Sequence, residues 1–192
     1  MHDGSTRPAL SIQVSGPVRA WSGGRALPLG WPRQRAVLAM LALRGSHGAA
    51  KRELVDALWG AEPPASASNN VHSYVANLRR ILEPDRRRRS PEEILALDGA
   101  RYVLRLHPGQ LDATEFTDRV IRANTLLADG DRAGAADLFG IALEQSSPFP
   151  LADVPGLFAE QVRAGLVEQR LAAYERWTET LLRWAAVSTS RS

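Results

Sequence analysis

Between residues 66 and 82 the chain places Asn69, Asn70, His72, Ser73, Asn77, Arg79 and Arg80 in a segment without one acidic residue. Amide, hydroxyl and guanidinium groups of this kind suit duplex DNA: asparagine pairs with N6 and N7 of adenine, and arginine with O6 and N7 of guanine. Between them Val71, Val75, Leu78 and Leu82 recur at helical spacing, so at about 100° per residue they share one face. The opposite face holds Asn69, Ser73, Ala76 and Arg80, with Asn70 and Asn77 on one flank and His72 and Arg79 on the other. A basic run, Arg86, Arg87, Arg88 and Arg89, follows. Taken alone, these arginines read as ordinary solvated surface; an acid-free helical face beside them favours a polyanion.

Other chemistries are poorly served. There is no cysteine, which excludes a disulfide framework, a cysteine-ligated zinc site, an iron-sulfur cluster and a thiol nucleophile. His2, His47, His72 and His107 are scattered without ligand spacing, and no phosphate-cradling glycine loop, nucleophile elbow or paired-carboxylate motif occurs. The expectation is a protein that is not an enzyme and needs no metal or cofactor. No apolar run approaches the roughly 20 residues of a membrane span. The start, MHDGSTRPALSIQV, lacks the pattern of a signal peptide, so a cytoplasmic, nucleoid-associated protein is expected.

The 192 residues are 44% hydrophobic and 23% charged, an ordinary globular balance. The formal charge of +3 conceals a polarity: residues 1–110 carry sixteen basic against nine acidic side chains, and residues 111–192 carry eight against twelve. Lys51 is the sole lysine. Arginine abundance accords with a GC-rich genome, so placement rather than number must argue for DNA.

The elements that would position the polar face can be read along the chain. Leu10 to Val14, Val18 to Trp21 and Leu27 to Leu29, broken by Gly16-Pro17 and Gly23-Gly24, read as a small antiparallel sheet. Pro32 suits the first turn of a helix that carries Val37, Leu38, Met40, Leu41 and Leu43 and stops at Gly45. A second helix spans about Lys51 to Trp59 and ends at Gly60, with a weak start because Ala50 has no capping oxygen. The segment Glu62-Pro63-Pro64 must be a rigid loop. Ser66 or Ser68 then caps the third helix, which closes at Glu83-Pro84. Ile94 to Leu97, Asp98-Gly99 and Tyr102 to Leu106 form a hairpin. Three helices followed by a hairpin is the order of a winged helix-turn-helix, whose third helix enters the major groove. Trp31, Trp59 and Tyr74 read as core residues.

Several stretches closely resemble the Streptomyces antibiotic regulatory protein family. These are Pro32-Arg33-Gln34-Arg35-Ala36-Val37-Leu38, Leu54-Val55-Asp56-Ala57-Leu58-Trp59-Gly60 with Glu62-Pro63-Pro64-Ala65-Ser66-Ala67, and Val71-His72-Ser73-Tyr74-Val75-Ala76-Asn77-Leu78-Arg79-Arg80-Ile81-Leu82. Leu151-Ala152-Asp153-Val154-Pro155 and the segment from Leu166 to Tyr174 resemble that family's bacterial transcriptional activation domain. The resemblance implies an α+β, OmpR-type winged helix-turn-helix with an N-terminal antiparallel sheet and a β-hairpin wing, followed by an all-α, tetratricopeptide-like domain. It also implies an activator that binds direct repeats of double-stranded DNA near biosynthetic, secondary-metabolite genes and recruits RNA polymerase. The expected division is a flexible N-terminus over 1–9, the DNA-binding domain over 10–108, a short activation domain over 109–186 and a flexible tail over 187–192.

On this footing Asn70, Ser73, Asn77 and Arg80 are assigned to base readout. His72, Arg79, Arg86, Arg87, Arg88, Arg89 and Arg101 are assigned to phosphates. The loop with Glu62, Pro63 and Pro64 is either the polymerase contact or a plain connection. Two positions depart from the family pattern: Asn77 stands where a basic residue is usual, and Arg101 replaces the usual glycine before Tyr102. Arg101 then either touches DNA or points into water.

In the acidic half, Phe116, Val120, Ile121 and Leu127 on one helix and Ala136, Leu138, Phe139 and Leu143 on the next suggest a helical hairpin around Asp129-Gly130-Asp131. A long helix follows from about 156. About one and a half repeat units are present, which reads as a shortened form or as the front of a larger regulator. Trp177 and Trp184 share a face that either closes the module or forms a dimer contact on DNA. The rival to a DNA-binding regulator is a helical scaffold whose winged fold binds protein.

Overall fold

In the computed structural model the described residues are 10–84 and 94–189. The expected flexible N-terminus over 1–9, residues 190–192 of the tail expected over 187–192, and the basic run Arg86, Arg87, Arg88 and Arg89 lie outside them; residues 187–189 continue the last helix.

Strands β1 (Leu10–Gln13), β2 (Arg19–Ser22) and β3 (Arg25–Ala26) form an antiparallel sheet in that order. In β1, Leu10 and Ile12 point into the core while Ser11 faces water. Helix α1 (Pro32–Arg44) begins with Pro32, whose fixed φ suits a first turn, and a 3-10 turn Gly45–His47 leads to the short strand β4 (Ala49–Ala50). Helices α2 (Lys51–Trp59) and α3 (Ala67–Leu82) follow, then the hairpin of β5 (Leu95–Asp98) and β6 (Arg101–Leu104). A second sheet has the order β4-β6-β5. The C-terminal part comprises α4 (Asp112–Ala128), α5 (Arg132–Glu144) and α6 (Leu157–Thr189).

The α2 start is stronger than Ala50 alone suggests. The Ala50 amide donates to the Glu53 carboxylate at 2.6 Å, so the N3 side chain satisfies a group the N-cap side chain cannot reach. Conversely, Ser66 holds the N-cap position of α3 without capping it; its hydroxyl accepts from Asn70 instead, at 3.2 Å. The hairpin turn lies one residue beyond expectation. Asp98 pairs with Arg101, leaving Gly99 and Ala100 as the loop, with Gly99 at φ +57.

One buried cluster crosses the expected boundary at residue 108. It joins Ile12 of β1, Val14 and Val18 of the turn between β1 and β2, α1, and Val71, Val75 and Leu78 of α3 to Leu111, Ala113, Leu151, Val154 and Ala159. Polar ties reinforce it. Ile12 donates its amide to the Gln110 carbonyl at 2.7 Å, and Leu151 donates to Val14 at 3.1 Å. Asp153 takes the Val18 amide at 2.8 Å and pairs with Arg35 at 2.8 Å. A smaller cluster of Phe116, Ala123, Phe139, Ala142, Leu143 and Ala173 holds α4, α5 and α6 together, with Val120, Leu127, Leu138 and Trp177 against it. Asp131 caps α5 by accepting from Gly134 at 2.9 Å. Ile121, expected in that core, is 58% exposed, because it lies on the far side of α4 from Phe116 and Ala123.

Candidate nucleic-acid interface

The core contacts of α3 dictate which face it shows. Val71, Val75, Leu78 and Leu82 are buried, and Ser68, Asn69, His72, Ser73, Ala76 and Arg80 are exposed. Asn70, Asn77 and Arg79 are half-buried on the flanks. The exposed strip is free of carboxylates, and Arg79 and Arg80 in the last turn complement the helix dipole. The polar face read from the sequence is therefore a surface in the folded protein, on a helix of 16 residues held from behind by α1 and α2.

The flank residues have partners of their own. Asn70 bonds to Ser66, as above. Asn77 donates from Nδ2 to Oε1 of Gln34 on α1, at 3.3 Å, and its Oδ1 accepts from Nη1 of Arg80 at 3.2 Å. Gln34 in turn donates from Nε2 to the Leu29 carbonyl at 2.8 Å. Among the residues assigned to base readout, Ser73 and Arg80 are thus the exposed ones, Arg80 with one N–H given to Asn77, while Asn70 and Asn77 are half-buried at the edge.

Two arginines assigned to phosphates turn toward the protein. Arg79 donates from Nε to the Leu95 carbonyl at 3.0 Å, and its guanidinium lies 5.8 Å from the centroid of the Tyr102 ring. It braces α3 against the wing. Arg101 donates to the carbonyls of His47, at 2.8 Å, and Gly48, at 3.2 Å, and pairs with Glu53 at 2.8 Å. As the first residue of β6, paired with Asp98, it stands behind the hairpin tip, tied to α2 through Glu53 while its side chain stays partly exposed. The Glu53 carboxyl is held below the usual carboxylate range, first by the Ala50 amide and then by Arg44, with Arg101 adding to the effect. His72 remains exposed on the flank.

Trp31 is not a core residue: it is 76% exposed at the N-cap of α1, where the chain is still extended and no apolar face has yet formed. Trp59 and Tyr74 do pack against the core. The guanidinium of Arg33 sits 5.4 Å from the centroid of the Trp59 ring. Glu62, Pro63 and Pro64 are all exposed on the loop between α2 and α3. The base of that loop abuts the start of α6. A Cβ at Gly60 would stand 3.1 Å from Leu157, and one at Gly156 would stand 2.9 Å from the Ala57 carbonyl oxygen.

Sequence reasoning missed Gln34 and Glu53. A glutamine in helical register with Val37, Leu38 and Leu41 on α1 was the available signal for the first, and a glutamate three residues after Ala50 for the second. Among the described residues no group of His, Asp and Glu could hold a metal ion, and no helix is long and apolar enough to cross a membrane.

Comparison with known proteins gives two family matches that meet near the end of the wing. Residues 27–104 match the transcriptional regulatory protein C-terminal family, and residues 111–189 match the bacterial transcriptional activator domain. The regulatory protein AfsR of Streptomyces coelicolor is 40% identical over 87% of this chain and 16% of its own length. The regulatory protein DnrI of Streptomyces peucetius is 27% identical over 91% of this chain and 65% of its own. A solved structure of Mycobacterium tuberculosis EmbR, in complex with a low-affinity phosphopeptide, superposes with a TM-score of 0.85 and 29% identity over 95% of this chain and 48% of that one. The chain thus spans about a sixth of the length of the first curated relatives it matches, 16% and 17% of the two AfsR proteins.

Proposed function

The chain belongs to the Streptomyces antibiotic regulatory proteins, which join an OmpR-type DNA-binding domain to a bacterial transcriptional activator domain, and on that premise we propose that it activates transcription by binding specific duplex sequences through α3. The observation that carries this is the exposed, carboxylate-free strip of Asn69, Ser73, Ala76 and Arg80 on a helix packed firmly from behind. A helix of this diameter fits a major groove. Ser73 and Arg80 face the base edges, Asn70 and Asn77 lie at their margin, and His72 lies toward a phosphate strand. Arg79 and Arg101 set the wing relative to α3. A protein-binding scaffold would expose apolar or mixed-charge residues on α3, which this chain does not.

The targets are direct repeats near promoters of biosynthetic genes, with copies bound head to tail about one helical turn apart. The exposed Glu62-Pro63-Pro64 loop, seated beside the start of α6, offers RNA polymerase a surface drawn from both domains. Selection of bound sequences from random duplex DNA by the purified chain tests the proposal. A repeated motif supports it. Salt-sensitive binding without any enriched sequence contradicts it, because phosphate contacts alone carry no sequence information.

A further inference from the structure

The amide of Gln34 lies outside α3, yet its hydrogen bonds start a chain that ends on the exposed strip of that helix. It runs from the Leu29 carbonyl through Gln34 and Asn77 to Arg80. The first link sets the direction of all the others. A backbone carbonyl only accepts, so Gln34 must turn its NH2 toward Leu29 and its oxygen toward Asn77. Asn77 must then turn its NH2 inward, which leaves its oxygen for Arg80. Gln34 is only 3% exposed, so water cannot take over these bonds, and a reversed amide would set oxygen against oxygen at Leu29. Gly30, at φ +76, lets the amide approach: a Cβ there would stand 3.0 Å from Nε2 of Gln34.

We propose that Gln34 is a positioning residue for DNA specificity, which withdraws Asn77 from base readout and aims Arg80 at a guanine. The inference rests on α3 being the helix that enters the groove. An asparagine that reads adenine must offer both its oxygen and its NH2 to the base edge. Here both ends of the Asn77 amide have protein partners and the side chain is half-buried. Arg80 spends one N–H on Asn77 and keeps the rest of a five-donor fork, enough for the O6 and N7 of guanine. The base chosen at this position is therefore governed by a buried residue on a different helix.

The test is selection from random duplex DNA with the full chain, run in parallel on wild type, Gln34→Met, Asn77→Ala and Arg80→Ala. Wild type should enrich a motif with guanine at one half-site position, and Arg80→Ala should lose that guanine. Gln34→Met and Asn77→Ala should weaken the same preference about tenfold and leave the other positions and the salt dependence as in wild type. A purely structural role for Gln34 would lower stability without moving a base preference. A Gln34→Met chain that folds and keeps the wild-type preference overturns the inference, as does an Asn77→Ala chain that loses adenine at a separate position. Should Gln34→Met fail to fold, Asn77→Ala decides on its own. Absence of any motif with wild type would instead overturn the DNA-binding reading, and this inference with it.

Discussion

The carboxylate of Asp112, at the start of α4, is bound to Ser15 in the turn between β1 and β2, taking both its backbone amide, at 3.0 Å, and its hydroxyl. The same carboxylate accepts the Val14 amide at 2.8 Å. Together with Asp153 on Val18 and Arg35, it makes the N-terminal sheet a shared wall of the two domains. Asp112→Ala leaves two amides and a hydroxyl without their acceptor. A loss of about 2–3 kcal/mol is expected, since bonds to a charged partner are worth about 1.5–3 kcal/mol. Denaturant unfolding measures it.

The common core carries a second expectation. Because Leu111, Leu151 and Val154 pack in one cluster with Val14 and α1, the DNA-binding and activation domains should unfold in a single calorimetric transition with matching calorimetric and van't Hoff enthalpies. Two resolved transitions would contradict this coupling.

Gly48 has φ +54, and a Cβ there would collide with the Tyr102 carbonyl oxygen where β4 meets β6. Gly48→Ala is expected to cost about 2–4 kcal/mol, combining left-handed backbone strain with the steric clash. Gly99→Ala has open space around its Cβ and should cost less, by strain alone. Thermal melts of the two variants compare them directly.

Glu53 gives a pH dependence of known sign. Its carboxyl is held below its usual range in the folded chain, mainly by the Ala50 amide and then by Arg44. The stability it contributes is therefore present above the ordinary glutamate pKa and is lost as pH falls through the lower, folded value. Wild type should lose stability through this acidic window by more than Glu53→Gln does. Urea midpoints measured from neutral to acidic pH check it.

Much of this architecture was legible in the sequence. The helical period of Val71, Val75, Leu78 and Leu82 placed the polar strip of α3 correctly, because burial of one face exposes the other. Pro32, Gly45 and Gly60 marked helix ends through backbone geometry that needs no tertiary context. What periodicity could not supply was the direction of long side chains. Arg79 and Arg101 are assigned to phosphates from sequence alone; the fold adds bonds that periodicity could not reveal, from Arg79 to the Leu95 carbonyl and from Arg101 to the His47 and Gly48 carbonyls and the Glu53 carboxylate. Trp31 read as core because it stands beside the apolar face of α1, but the helix begins one residue later and leaves it outside. Strand β4, two residues long, has no pattern to detect and exists only through its pairing with β6.

Entry of the carboxylate-free strip of α3 into the groove is tested by Ala76→Glu. Ala76 is exposed in mid-helix, and glutamate is a good helix former, so the fold should be unchanged while one negative charge is set in the middle of the strip. The measurement is the affinity of wild type and Ala76→Glu for the selected duplex and for a scrambled one. Ala76→Glu is expected to lose affinity for the specific duplex by at least about tenfold, as when like charges are juxtaposed in an interface, with the melting temperature of wild type retained. Equal affinity of the two proteins for the selected duplex would contradict it.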